Sequence, residues 1–164
     1  MLEPNDAMIL LIPALPIAIW VALSDMKRMK IPNTSVLAMA AIWPLLGWFL
    51  VPMTAWLWGF ALMAIIFVLG FLLYLTGTFG AGDAKYAAAM AGMFVGGNIP
   101  SILVLLVLCM IGSLLVHRLL RSISFVRKLT PDWVSWGQRR YFPFGLALSA
   151  ILIIYLLAEI WPQG

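Results

Sequence analysis

Two acidic residues next to long apolar runs are the first candidates for chemistry in this chain. Asp25 lies in the segment VALSDMKRMKIPNTS, and Asp83 lies in GTFGAGDAKYAAAM. A carboxylate inside a membrane costs roughly 2.5–3.5 kcal/mol on insertion scales, so such an acid usually has a partner or a function. Two carboxylates that converge in a low-dielectric site share one proton. One of them can then activate water while the other polarises a carbonyl group, which is the chemistry of aspartyl proteolysis and needs neither metal nor cofactor.

A purely structural interpretation of both acids stays open at this point. Asp83 is placed to cap the helix that follows it, because free backbone amides at a helix start favour a negative charge. Asp25 is close to lysines with which it could pair. Gly77, Gly80 and Gly82 precede Asp83, and glycines permit unusual backbone turns and leave room for an extended peptide.

Other reactive residue types are scarce. Cys109 is the only cysteine, which excludes disulfides within the chain and zinc clusters of the CxxC type, and we expect it to be a small buried apolar residue. His117 is the only histidine, and a capping or lipid-facing position at a helix end is expected for it. No Ser-His-acid arrangement is indicated. Asp132 follows Pro131, suits the first turn of a surface helix and is assigned no function.

The composition of the chain is that of an integral membrane protein. Of its 164 residues 65% are hydrophobic and 10% are charged, and the mean hydropathy is +1.08. A helical span needs about 20 apolar residues, and the charge-free intervals cover residues 7–24, 31–82, 86–116 and 141–158.

These intervals predict about six transmembrane helices. The first and last intervals each hold one span, and the second holds two spans with a turn near residues 50–53. The third interval breaks near Asn98–Pro100, which leaves a short fourth span. The apolar runs are continuous and do not alternate as barrel strands do. We therefore expect an all-α, polytopic integral membrane protein with a single domain over residues 1–164.

The basic residues predict the orientation of this bundle. All lie in the loops between spans one and two, three and four, and five and six, which the positive-inside rule places in the cytoplasm with both termini outside. Asp25 and Asp83 then share the cytoplasmic face. The net charge of +4 indicates contact with the lipid bilayer and gives little reason to expect nucleic-acid binding. The basic residues are Lys27, Arg28, Lys30, Lys85, Arg118, Arg121, Arg127, Lys128, Arg139 and Arg140.

The positions of the tryptophans lead to two further predictions. In the loop between spans five and six, Val126, Leu129, Trp133 and Trp136 recur at helical spacing among basic residues, which predicts an interfacial helix. Trp43 does not match an interfacial belt, and we expect it to be buried between helices.

The ordered motifs resemble the type IV prepilin peptidases, which are GxGD-type aspartyl proteases of prokaryotic membranes. FGAGDAK matches the GxGD motif, DMKRMKIPN resembles the motif of the first aspartate, and FPFGLALSA is similar to the Pro-x-Gly segment that opens the last helix. The resemblance implies that Asp25 and Asp83 are the catalytic residues. It also implies motif or substrate-positioning roles for Gly80, Gly82, Lys85, Ile31, Pro32, Asn33, Pro143 and Gly145. Tyr86 stands where an aliphatic residue is usual.

The resemblance also implies a substrate and a location. The substrate would be a prepilin or pilin-like membrane protein, cut after a Gly that ends its short basic leader, at the cytoplasmic face of the cell inner membrane. The chain lacks the CxxC pairs of the larger enzymes, so we expect a transmembrane peptidase domain without a methyltransferase or zinc region, with no cofactor and no N-methylation. This pattern is similar to the short peptidases of Tad/Flp pilus systems, with archaeal preflagellin peptidases as a near alternative.

Three other interpretations of the acids are possible. Presenilin-like proteases also carry GxGD, but they have Pro-Ala-Leu after it, whereas here this triplet lies at residues 13–15, ahead of both aspartates. An ion- or proton-coupled small transporter or channel would use acids in broken helices, yet these acids cluster at one face instead of mid-membrane. A structural assembly partner would tolerate loss of both acids. The particular pilin and the oligomeric state stay open.

Overall fold

The computed structural model describes residues 2–137 and 142–161, and within these ranges it contains helices, turns and no strand. The α-helices are Pro4–Arg28 (α1), Asn33–Ile42 (α2), Trp48–Leu50 (α3), Met53–Leu75 (α4), Ala81–Ala91 (α5), Ile99–Ser122 (α6), Ser124–Leu129 (α7) and Phe144–Ile160 (α8). A π-helical turn, Trp43–Gly47, joins α2 to α3, and 3-10 turns cover Gly92–Phe94 and Val134–Trp136. The all-α prediction is confirmed.

The lengths of the helices match a polytopic membrane protein. Four segments of the described chain are long and apolar enough to cross a bilayer, namely Pro4–Arg28, Asn33–Leu50, Met53–Leu75 and Ile99–Ser122. The helix α8 is apolar but has 17 residues, and α5 has only 11. The short fourth segment of the prediction corresponds to α5 and the 3-10 turn after it.

The two predicted breaks in the long apolar intervals are confirmed. α3 ends at Leu50 and α4 begins at Met53. α6 begins at Ile99, where the Asn98 side chain accepts hydrogen bonds from the backbone amide of Ser101 at 3.0 Å and from its hydroxyl group at 2.9 Å. Pro100 lies in the first turn of α6, where its missing N–H leaves no hydrogen bond unmade.

The core lies where α1, α2, α5 and α8 meet. α1 packs against α8 and α2, and α5 packs against α4, α2 and α8. The outer helices bury little of themselves: α4 has Gly59 and Gly70 as its only fully buried residues within the described chain. Their large apolar side chains are exposed, as expected for helices that face lipid tails. The largest fully buried apolar side chains are Leu10, Val21, Met39, Trp43, Tyr86, Met93, Leu152 and Leu156.

Trp43 is buried between helices, as predicted. It is fully inaccessible, and its indole N–H donates a hydrogen bond of 3.1 Å to the carbonyl oxygen of Trp56. Its ring lies directly against Gly59 of α4 and against Gly92, and a Cβ atom at either glycine would collide with it. The two glycines therefore allow one large side chain to tie three segments together.

The loop between α6 and α8 differs from the prediction. A short helix is present, but α7 ends at Leu129, so the expected helix through Trp133 and Trp136 is wrong. The residue before a proline is forced out of helical conformation, and Thr130, ahead of Pro131, has φ −130° and ψ 54°. Asp132 accordingly lies in a turn and not in the first turn of a helix.

Trp136 turns inward from this loop and covers His117. The two rings stack with centroids 5.3 Å apart at an interplanar angle of 22°. His117 is buried, so the expected lipid-facing position is wrong, whereas the expected burial of Cys109 is confirmed. Arg139 and Arg140, counted above among the cytoplasmic basic residues, lie outside the described residues.

Candidate functional site

Asp25 lies in the last turn of α1, where an acid is out of place on local grounds. The C-terminal end of a helix carries partial negative charge and disfavours a second one. Asp25 is only 5% exposed, so water compensates little of this cost. The compensation comes from another helix: the backbone N–H of Gly145 donates a hydrogen bond of 2.7 Å to Oδ2 of Asp25.

The start of α8 is built to receive this carboxylate. Pro143 is the N-cap of α8 and provides no side-chain cap, so the first backbone amides of α8 need an acceptor from elsewhere. A Cβ atom on Gly145 would lie 3.0 Å from Oδ2 of Asp25 and 3.1 Å from Cδ1 of Ile31. The glycine thus leaves the room in which Asp25 caps α8 from across the bundle, which is a physical reason for the Pro-x-Gly segment.

Asp83 lies at the third position of α5, and the N-cap is Gly80. The expectation that Asp83 itself occupies the cap position is therefore wrong by three residues, although the side chain still serves the helix start. It reaches back toward the backbone of Gly80, as an acid at this position does in a capping box. A Cβ atom on Gly80 would lie 2.5 Å from Oδ2 of Asp83, so only glycine leaves room for this arrangement.

The second glycine of the GxGD motif has a different neighbour. A Cβ atom on Gly82 would lie 3.3 Å from Cβ of Ile31, in the loop between α1 and α2. On the next turn of α5, Nζ of Lys85 donates a long hydrogen bond of 3.5 Å to Oδ1 of Asn33. Pro32 lies between these contacts as the N-cap of α2. The segment Ile31–Asn33 and the start of α5 are thus in direct contact.

The two acids, one from α1 and one from α5, meet at this end of the bundle. Ile31 lies next to both Gly145, whose backbone amide binds Asp25, and Gly82, which precedes Asp83 in the chain. Phe79, in the loop before Asp83, packs edge-on against Phe144 with ring centroids 4.8 Å apart. The structure therefore brings all ten residues singled out by the sequence to the joint end of α1, α2, α5 and α8.

One supporting contact was missed by the sequence analysis. Tyr86 is fully buried, and its hydroxyl group lies 3.3 Å from the hydroxyl group of Ser149, which fixes α5 against α8 beside the acids. The signal was present in the spacing: each residue follows a motif glycine, Gly82 or Gly145, by four positions and so lies on the same helix face. The tyrosine in place of an aliphatic residue is explained by this bond.

The arrangement suits acid-base chemistry. Asp25 is buried and Asp83 is half-buried, while Gly80 is exposed, so an extended peptide can approach from the side of the loop before α5. Within residues 2–137 and 142–161, no group of three or more His, Cys, Asp or Glu residues could hold a metal ion. The two carboxyl groups themselves are the candidate reactive groups of this site.

Comparison with known proteins found a family match that covers this part of the chain. The model of the type IV leader peptidase family matches residues 12–117, which include Asp25, Asp83 and the segments around them. No curated protein and no solved structure matched the chain. The match ends before α8, whose Gly145 joins the site only through the fold. Because the matched region is more than half of its 164 residues, the chain belongs to the type IV leader peptidase family.

Proposed function

We propose that the protein is a membrane aspartyl endopeptidase that removes the short basic leader from prepilin-like substrates, after a Gly at the cytoplasmic membrane face. The observation that carries this proposal is that Asp25 of α1 and Asp83 of α5 lie at one end of the bundle, where Ile31 is adjacent both to Gly145, which binds Asp25, and to Gly82, which precedes Asp83. Membership of a leader peptidase family supports a protease acting in membranes. No other described acid has this combination of burial and an acidic neighbour from a distant part of the chain.

In the proposed reaction the two carboxyl groups hold one proton between them. The ionised group takes a proton from water as the water oxygen attacks the scissile carbonyl carbon, and the protonated group donates a hydrogen bond to the carbonyl oxygen. The tetrahedral intermediate then collapses: the C–N bond breaks, and the leaving amine takes a proton from the pair. The products are a leader with a free carboxyl end and a mature subunit with a free amino end.

The surroundings of the acids support this use. Asp25 is bound by the backbone amide of Gly145, and the Asp83 carboxyl group lies against Gly80 at the start of α5. Backbone amides at helix starts favour the charged form of a nearby carboxyl group. The leader would lie on the polar side of the site and the apolar segment of the substrate on the lipid side. The cut would then fall where the substrate enters the membrane.

We further infer that the chain cleaves without methylating the new amino end. Cys109 is its only cysteine and is buried in α6, so the chain can form no CxxC pair. In this respect it is similar to the short peptidases of Tad/Flp systems.

The test is cleavage of a prepilin-like substrate by the purified protein in lipid vesicles. Wild type is compared with Asp25→Asn and Asp83→Asn, and Asp132→Asn is the matched control because Asp132 is an exposed acid in the loop after α7. We expect both site variants to lose cleavage by at least about a thousandfold, as when a member of a catalytic unit is removed, and Asp132→Asn to keep it. Cleavage that survives both site substitutions would return the two acids to purely structural roles.

A further inference from the structure

An apolar groove lies on the membrane-facing side of the candidate site. It opens between α4 and α6, has a volume of about 280 Å³, and has the outer faces of α5 and α8 as its floor. All its lining residues are apolar. They include Leu62 of α4, Ala87 and Ala91 of α5, Leu103 of α6 and Leu148 of α8.

The groove continues from Asp83 along one face of α5. Residues four and eight positions after Asp83 lie on the same side of a helix, and these are Ala87 and Ala91 on the groove floor. Met90 and Phe94, at seven and eleven positions, line the same groove. With a rise of 1.5 Å per residue, the groove begins about 6 Å beyond the level of Asp83. Asp83 therefore lies about one helical turn before the near end of the groove, on the same face of α5.

A second concave surface on α5 does not share the face of the helix that carries Asp83. It lies between α2 and α4, and its residues on α5 are Lys85, Ala88 and Ala89. At 100° per residue these three point away from Asp83. A substrate helix bound to this second surface would lie on the Lys85 face of α5, which is not the face that carries Asp83. Of these two surfaces, only the groove between α4 and α6 is in line with the acids.

We propose that this groove receives the side chains on one face of the apolar substrate helix that follows the scissile bond. This inference rests on the proposed function, because cleavage beside Asp83 determines where the apolar helix of the substrate begins. Inside lipid the backbone of that segment has to satisfy its hydrogen bonds internally, so it enters the groove as a helix. Ala87 and Ala91 lie four residues apart on the groove floor, and their small side chains leave room for the side chains of a helix packed over the groove. A lipid tail would fit the same space, but its binding would not require the groove to lie on the same face of α5 as Asp83.

The helix α6 offers a matched pair of substitutions to test this. Leu103 and Leu108 are 56% and 60% exposed, so a change at either leaves the core intact. Leu103 lines the groove, and Leu108, five positions later, points about 140° away from it. We expect Leu103→Trp to fill the groove and to lower the cleavage rate of a full-length prepilin-like substrate by at least about tenfold, with Leu108→Trp at the wild-type rate.

The outcomes separate this inference from the proposed function. If wild type does not cleave the substrate, the proposed function fails. If wild type cleaves and Leu103→Trp and Leu108→Trp cleave equally fast, the groove proposal alone is overturned. Thermal unfolding of both variants in the same detergent shows whether a loss of rate is a loss of fold, and we expect both to unfold at the wild-type temperature.

Cross-linking tests the occupant directly. In a Cys109→Ala background with Asp83→Asn to slow turnover, Leu103→Cys is paired with single cysteines placed along the substrate helix, and Leu108→Cys is the control. We expect disulfides from Leu103→Cys only, at substrate positions three or four residues apart, because one helix face would lie in the groove. Cross-links that are absent, or equally frequent from both positions, would overturn the proposal.

Discussion

Gly145 and Asp25 are joined by a hydrogen bond of 2.7 Å although 120 residues separate them in the chain. The bond connects the last turn of α1 to the first turn of α8. It gives the start of α8 a cap that the N-cap residue Pro143 does not provide. One candidate catalytic group is thereby held by the helix that closes the bundle, so the stability of the fold and the geometry of the site depend on the same contact.

Adding a methyl group at Gly145 should disturb this contact. The Cβ atom of Gly145→Ala would lie 3.0 Å from Oδ2 of Asp25, so the carboxyl group must shift by a few tenths of an ångström. We expect the cleavage rate to fall by about tenfold, because small displacements of reacting groups are costly. Gly112→Ala in α6 is the control, since nothing lies within 4 Å of its added Cβ atom. Equal rates for the two variants would contradict the prediction.

The structural and chemical roles of Asp25 can be separated by two substitutions. Asp25→Ala removes the acceptor of the Gly145 amide and should destabilise the fold by roughly 1–3 kcal/mol, the cost of an unsatisfied buried donor. Asp25→Asn keeps an acceptor oxygen and should lose much less stability, while cleavage is lost in both. Thermal unfolding in detergent and a cleavage assay, run on the same preparations, test the split. If Asp25→Asn is as unstable as Asp25→Ala, the negative charge of Asp25, and not only its acceptor oxygen, is needed to hold α8.

The two glycines of the GxGD motif should differ in sensitivity. A Cβ atom at Gly80 would lie 2.5 Å from Oδ2 of Asp83, whereas one at Gly82 would lie 3.3 Å from Cβ of Ile31. We expect Gly80→Ala to reduce cleavage by about tenfold or more, because the carboxyl group itself is displaced. Gly82→Ala should have a smaller effect on the rate. The reverse order in a side-by-side rate measurement would show that the contact with Ile31 matters more than the position of Asp83.

Lys85 should contribute little to stability through Asn33. Their hydrogen bond is long, at 3.5 Å, and both residues are exposed. A double-mutant cycle of Lys85→Met and Asn33→Ala should give a coupling energy below about 0.5 kcal/mol. A large loss of cleavage in Lys85→Met alongside this small coupling would assign Lys85 to the substrate.

Trp136 should be the residue that secures the loop before α8. It is buried, stacks on His117 and donates hydrogen bonds of 3.1 Å to the backbone and hydroxyl oxygens of Thr130. Trp136→Ala should destabilise the fold by about 3 kcal/mol, as is usual for loss of a large buried ring. Trp161→Ala is the control because Trp161 is 77% exposed. If Trp136→Ala unfolds at the same temperature as wild type, contacts other than those of Trp136 hold this loop in place.

Sequence reasoning was accurate where the signal is local. The breaks at residues 50–53 and 98–100 and the burial of Trp43 were predictable, because each depends on a proline, a capping residue or a run of apolar residues. It failed in the loop after α6. There the helical spacing of apolar residues pointed to one helix, but Thr130–Pro131 stops it at Leu129.

The sequence by itself determined that the chain is an all-helical membrane protein and that two acids stand at the ends of neighbouring apolar segments. Hydropathy, charge and motif spacing are read along the chain and need no packing. Only the tertiary structure decided that the Gly145 amide meets Asp25, that His117 is covered by Trp136, and that the groove lies on the Asp83 face of α5. These relationships depend on how each helix is rotated about its axis and which ridges it packs against, and apolar runs alone leave that rotation undetermined.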